Sequence, residues 1–204
     1  MFKKLLLSFV LIVGALLSIA LIRTLMHSAP EPTVNVGLTA DIDGEAATNN
    51  LAASIRFKTI SHQDKEKFSP QEFEGFIKWA ADTYPEFHSA MQLEMLEYTL
   101  LFKWEGSDNS LAPILLTAHY DVVPVIPGTE SIWEEEPFAG VISNNRIWGR
   151  GALDDKSGVV GMMEAATYLI KNNFQPTRTV YFSFGHDEEI GGGGAAQVTE
   201  KLKQ

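Results

Sequence analysis

The chain has 204 residues, 45% hydrophobic and 21% charged, a globular composition with enough apolar material to bury a core. Its net charge is −10, and because Lys3, Lys4 and Arg23 lie in the first 23 residues, the remainder sets 13 basic residues against 26 acidic ones. Such a body repels phosphate backbones, which argues against nucleic acid as a partner, and the lack of cysteine excludes disulfides, thiolate ligands and thiol nucleophiles.

Residues 1–23 read as a unit of their own. Lys3 and Lys4 precede an uncharged run of 18 residues over positions 5–22, closed by Arg23. The run is close to the roughly 20 residues needed to cross a bilayer. It exceeds the ~7–15-residue apolar core of a cleaved signal peptide, and no clean small-x-small cleavage site follows. The expectation is an uncleaved signal anchor, a single transmembrane helix with the lysine pair cytoplasmic and the body outside the cytoplasm. A long cleaved signal is the alternative, and it too exports the body. Residues 24–43, with Pro30, Pro32, Gly37, Asp41 and Asp43, suit a linker, and residues 44–204 form the body.

Within the body, Leu51, Ala52, Ile55 and Phe57 allow a modest helix over about 44–57. Ser69-Pro70-Gln71-Glu72 is a helix start, with an N-cap serine, proline at the first helical position and glutamate three residues after the cap. Phe73, Phe76, Ile77 and Ala80 then share a face, which predicts a helix over 70–82. Residues 92–104 alternate loosely and favour a strand or hairpin arm. Residues 113–118 form a short apolar run of buried-strand type that ends in His119-Tyr120-Asp121. After Ile147-Trp-Gly-Arg-Gly151 comes Asp154-Asp155-Lys156, and then a largely buried helix ending near Asn172, with Met162 and Met163 in the core. Residues 178–184 alternate as a strand, Val180, Phe182 and Phe184 on one face, and end in Gly185-His186-Asp187-Glu188-Glu189. Residues 191–194 open a last helix; they lack the lysine and spacing of a phosphate-cradling loop. Strands alternating with helices indicate an α/β layered domain.

Three polar clusters therefore sit where strands end or helices begin: His119/Asp121, Asp154/Asp155 and Glu188/Glu189. In open α/β sheets ligands bind beyond the carboxyl ends of the strands. One imidazole with several carboxylates suits zinc, or less specifically manganese or cobalt. The two-residue spacing lets Asp121 accept the free ring N–H of a metal-bound His119. The adjacent Glu188 and Glu189 permit a division of labour, one binding metal while the other takes a proton from the attacking water. Each cluster has a bland alternative: an incidental H-x-D, an ordinary helix N-cap at Asp154-Asp155, a solvated loop at Glu188-Glu189. His186 reads as a structural or loop histidine, and His27, His62 and His88 as surface residues. Residues 134–136 read as a solvated charge run beside Trp133 and Phe138, with a place on the substrate rim as the alternative.

The segments Thr117-Ala-His-Tyr-Asp-Val-Val-Pro124, Trp148-Gly-Arg-Gly-Ala-Leu-Asp-Asp-Lys156 and Gly185-His-Asp-Glu-Glu189 resemble the signature of the co-catalytic zinc peptidases that include aminoacylase and glutamate carboxypeptidase. Trp133, Pro137-Phe138 and the runs through Asp154 and Glu189 look most like carboxypeptidase S and its secreted N-acyl-amino-acid hydrolase/synthase relatives. The resemblance spans about residues 45–204. It implies a three-layer mixed sheet with helices on both faces, incomplete at the C-terminus, and two zinc ions per complete site. His119 would bind one zinc, Glu189 the second, and Asp154 would bridge them. Asp121 would orient the site and Glu188 act as general base, in hydrolysis of an amide next to a free carboxylate in small peptides or N-acyl amino acids. Further ligands, and a lid domain through which relatives dimerise, would lie beyond Gln204. The 204 residues alone are then expected to bind zinc weakly and to be inactive. The rival reading is a membrane-tethered, non-catalytic truncated relative. A magnesium phosphohydrolase is disfavoured by His119 and the acidic body.

Overall fold

A computed structural model describes residues 2–27 and 40–203. The chain divides into two compact units, Met1–Ala40 and Asp41–Gln204. The first contains α1 (Phe2–Leu25), which buries no residue and is long and apolar enough, by length and composition, to cross a membrane. Most of the predicted linker, residues 28–39, lies outside the described residues.

The second unit opens with α2 (Gly44–Ile55), capped by Asp43, whose carboxylate accepts the amides of Glu45 at 3.1 Å and Ala46 at 2.9 Å. It stops two residues short of the predicted end. The next helix, α3 (Pro70–Thr83), has the predicted proline at its start and buries Phe73, Phe76 and Ala80. The expected capping box does not form. Ser69 makes no side-chain cap bond, and Glu72 instead accepts the Lys58 amide at 2.8 Å, so its carboxylate ties a distant segment to the helix. Proline also starts the short α4 (Pro85–Ala90), which periodicity did not reveal and which buries Phe87.

The predicted hairpin is present as β1 (Gln92–Leu96) and β2 (Thr99–Trp104), followed by β3 (Ile114–His119). Next come β4 (Val141–Ser143) and β5 (Arg146–Trp148), a separate two-stranded ribbon. Asn144 and Asn145 turn it with φ of 50° and 58°, as asparagine tolerates better than most residues. Then follow α5 (Lys156–Lys171), β6 (Val180–Gly185) and α6 (Gly193–Leu202).

The main sheet has the order β1-β2-β6-β3 and is mixed: β2 runs antiparallel to β6, β3 parallel to it. Alternation puts Leu100, Phe102, Trp104, Phe182 and Phe184 on one face, in a core shared with Phe73 and Phe76 of α3, Phe87 of α4 and Val159 and Met163 of α5. On the other face α6 buries Val198 and contacts β1, β2 and β6. The strand through residues 113–118 was expected to be buried. It forms the edge of the described sheet instead, and Ile114, Leu115 and Leu116 are 42%, 44% and 38% exposed.

Register decides what happens at the strand ends. His119, last residue of β3, lies opposite Gly185, last residue of the parallel β6. The chain segments after both strands, Tyr120-Asp121 and His186 to Glu189, therefore leave the sheet side by side.

Candidate metal centre

His119 is buried at the end of β3, and the alternation of the backbone sends the next side chain the other way. Tyr120 is fully buried, stacks on Phe76 at 4.5 Å between ring centroids and donates its hydroxyl to the Tyr98 carbonyl at 2.6 Å. That aromatic anchor holds the backbone between the two polar residues that flank it.

The His119 ring has two distinct sides. Nδ1 faces the Asp121 carbonyl at 3.2 Å and the Asp121 carboxylate at 3.3 Å. Nε2 faces Asp154 at 3.0 Å and Glu188 at 3.7 Å. Ligand atoms of His119, Asp154 and Glu189 all lie within 4.8 Å of one another. Asp154 is freed for this by its neighbour: Asp155 is the N-cap of α5 and accepts the Gly158 amide at 3.2 Å. A β-carbon at position 158 would lie 2.4 Å from that carboxylate, so any larger residue there would push the capping side chain aside. The N-cap alternative for the acidic pair is thus true of Asp155 alone.

Asp121, with no exposed surface, receives more than the histidine ring. Its Oδ2 accepts the Ser61 hydroxyl at 2.6 Å and the Glu189 amide at 3.1 Å, and its Oδ1 accepts the Glu188 amide at 3.2 Å. Burial raises its pKa, but the bonds from His119, Ser61 and the Glu189 amide outweigh that and hold the carboxyl below its ordinary range. Burial lowers the His119 pKa, yet Asp121 and Glu188 overcome it and push the ring up to about 9. Glu189 is raised by its own burial and by Asp154 and other neighbouring acids. Among the described residues the ion-pair partner of Asp154 and of Glu188 is His119, and Glu189 has none. A nitrogen donor among converging carboxylates that lack a lysine or arginine is a donor set that fits a divalent cation such as zinc.

The other predicted histidines hold no place here. His186 is buried and bonded through Nδ1 to the Thr99 hydroxyl at 2.7 Å. His62 and His88 are half-buried rather than on the surface; the His88 ring nitrogen contacts the Tyr84 carbonyl at 3.0 Å, and burial lowers its pKa. His27 is exposed. Glu135 and Glu136 bond locally to Ser143 and the Phe138 amide.

Sequence reading gave Lys156 no role. It is fully buried, and its Nζ donates to the carbonyls of Ser54 at 2.9 Å and Phe57 at 2.7 Å, above the Phe76 ring. Burial pushes the amine down to about 7, with Glu72 and Asp121 partly offsetting it. Its signal was position alone, directly after Asp154-Asp155. Lys156→Met keeps the stem and deletes the donor, leaving the Phe57 carbonyl without that partner; the expected loss is about 1–3 kcal/mol of stability. Equal denaturant midpoints for variant and wild type in chemical unfolding would contradict this.

Acidic groups and one imidazole converging past the ends of parallel strands make this an α/β domain with a candidate divalent-metal centre. Residues 115–204 match the model for peptidase family M20/M25/M40. Probable carboxypeptidase S-like 2 of Dictyostelium discoideum is 36% identical over 195 residues, which is 91% of this chain and 37% of that protein. The N-fatty-acyl-amino acid synthase/hydrolase of Xenopus tropicalis is 39% identical over 157 residues, 75% of this chain and 30% of that one. The crystal structure of human carnosine dipeptidase 1 superposes with a TM-score of 0.64 at 21% identity, covering 78% of this chain and 35% of that one, and so shares the fold. Over residues 115–204 the chain thus matches peptidase family M20/M25/M40, and it is similar to the carboxypeptidase S-like proteins. It spans little more than a third of the length of the Dictyostelium relative.

Proposed function

We propose that the intact protein hydrolyses an amide bond next to a free carboxylate, in small peptides or N-acyl amino acids, using zinc held at the site described above. The observation that carries this reading is the convergence of His119, Asp154 and Glu189 within 4.8 Å, with Glu188 alongside. The names of the relatives support the substrate class, since a carboxypeptidase and an N-acyl-amino-acid hydrolase both cleave such amides.

His119 Nε2 and the carboxylates of Asp154 and Glu189 would hold the metal, His119 on one ion, Glu189 on the second and Asp154 between them. Bound zinc would supply a Lewis acid for the scissile carbonyl and make water a competent nucleophile at neutral pH. Glu188, whose side chain is 61% exposed, takes the proton of the attacking water as general base and passes it to the leaving nitrogen. Asp121 fixes the His119 tautomer through Nδ1, so that Nε2 is left for the metal. On this reading α1 is a signal anchor that carries the body outside the cytoplasm, and residues 44–204 belong to the catalytic domain.

The reading predicts that the intact protein releases free amino acids from dipeptides or N-acyl amino acids. A chelator should stop the reaction and added zinc restore it. Turnover of substrates with an amidated C-terminus as fast as those with a free carboxylate would refute the substrate class. Activity undiminished after metal removal would refute the chemistry.

A further inference from the structure

Residues 54–61 carry no candidate ligand, yet they touch two of the three motifs directly and reach the third through Asp121. Lys156, beside the acidic pair, grips the carbonyls of Ser54 and Phe57. Glu72 of α3 accepts the next amide, that of Lys58. Thr59, fully buried, donates its hydroxyl to the Tyr120 carbonyl at 2.6 Å and accepts the Val122 amide at 2.9 Å, and the Ser61 amide reaches the Val122 carbonyl at 3.3 Å. The segment thus lies along residues 120–122 as a short parallel bridge. Its last residue, Ser61, is 4% exposed and places its hydroxyl 2.6 Å from Asp121 Oδ2.

Position 61 therefore meets the one carboxylate that bonds both to the His119 ring and to the backbone amides of Glu188 and Glu189. A buried carboxylate that is free to turn about χ2 can tilt its plane away from the donors around it. A short bond from a hydroxyl fixed by main-chain pairing removes that freedom, leaving Oδ1 toward His119 Nδ1 and the Glu188 amide, and Oδ2 toward the Glu189 amide.

We propose that Ser61 is a positioning residue for the metal centre: through Asp121 it sets the orientation of His119 and the placement of the Glu188-Glu189 backbone together. The proposal rests on the metal reading above. Loss of a hydrogen bond made directly to a metal ligand lowers affinity by about 10–100-fold; Ser61 acts one bond further out, through Asp121, so the lower end of that range applies.

The test is zinc affinity of the intact protein, by competition with a chromophoric chelator, for wild type, Ser61→Ala and Ser61→Thr, with Glu189→Ala as a control. Visible spectra of the cobalt-substituted proteins provide a second readout. Ser61→Ala is expected to bind zinc about tenfold more weakly. Its cobalt spectrum should be altered, and Ser61→Thr, which keeps the hydroxyl, should recover both. A merely structural serine would lower the unfolding midpoint of the metal-free protein and leave affinity and spectrum unchanged, and that result overturns the proposal. If Ser61→Ala does not fold, Ser61→Thr against the near-isosteric Ser61→Val decides by the same readouts. Should wild type bind no more zinc than Glu189→Ala, the metal reading of this cluster falls, and the Ser61 proposal with it.

Discussion

Glu188→Gln in the intact protein is expected to lower turnover by about two to four orders of magnitude, the contribution typical of a positioned general base. Bound zinc should stay largely intact. The substitution is near-isosteric, and it removes the charge and with it the capacity to accept a proton. Glu188 is suited to that task by where it stands: its carboxylate lies 3.7 Å from His119 Nε2, beside the converging ligand atoms of His119, Asp154 and Glu189, and most of its side chain faces solvent. Its amide is held by Asp121, so the backbone that carries it does not depend on the carboxylate that is changed. Metal content by atomic emission and turnover are to be measured on the same preparation. Zinc lost in proportion to activity would mean that the roles of Glu188 and Glu189 are exchanged.

Asp121→Asn is expected to act differently, on metal and fold at once. Asp121 offers its two oxygens to four donors: the His119 ring, the Ser61 hydroxyl and the amides of Glu188 and Glu189. Asparagine keeps one oxygen and turns an NH2 group toward donors it cannot satisfy. Whichever way the amide is flipped, at least one buried donor loses its acceptor, at a cost of about 1–3 kcal/mol. Zinc affinity should fall by about 10–100-fold, since the ring of His119 loses the acceptor that fixes its tautomer. The pH dependence has a definite sign. The folded pKa of Asp121 lies below its unfolded value, so its contribution to stability is present above the ordinary carboxyl range and is lost as pH falls through the folded value. The variant should therefore show a shallower acid limb in stability against pH. Wild-type-like zinc affinity together with an unchanged acid limb would show that Asp121 is not the hub described.

Much of the fold was legible because its signals are local. The helix at Pro70, the hairpin over residues 92–104 and the alternation of Val180, Phe182 and Phe184 follow from periodicities and turn residues within a few positions of one another. The same local reading failed where a partner from elsewhere took over. Glu72 does not cap its own helix, because the Lys58 amide competes for it. The apolar run before His119 looks buried by composition, but burial depends on what lies beside a strand, and β3 stands at an edge of the described sheet.

The amino-acid sequence by itself determined the chemistry on offer at three places, an imidazole and paired carboxylates at the ends of strands, and with it the resemblance to the peptidase family that residues 115–204 match. Only the tertiary structure decided that the atoms of His119, Asp154 and Glu189 come within 4.8 Å, that Asp155 rather than Asp154 caps α5, and that Lys156, Ser61 and Asp121 bind the three motifs into one support. The physical reason is range. A side chain's type and its face on a strand are set by neighbours one to four residues away. The bonds that tie the motifs to their support, from Ser61 and the Glu188 and Glu189 amides to Asp121 and from Lys156 to Ser54, join residues 60 to about 100 positions apart, and which of them form is settled by the register of β3 against β6 and by the packing of Tyr120 on Phe76.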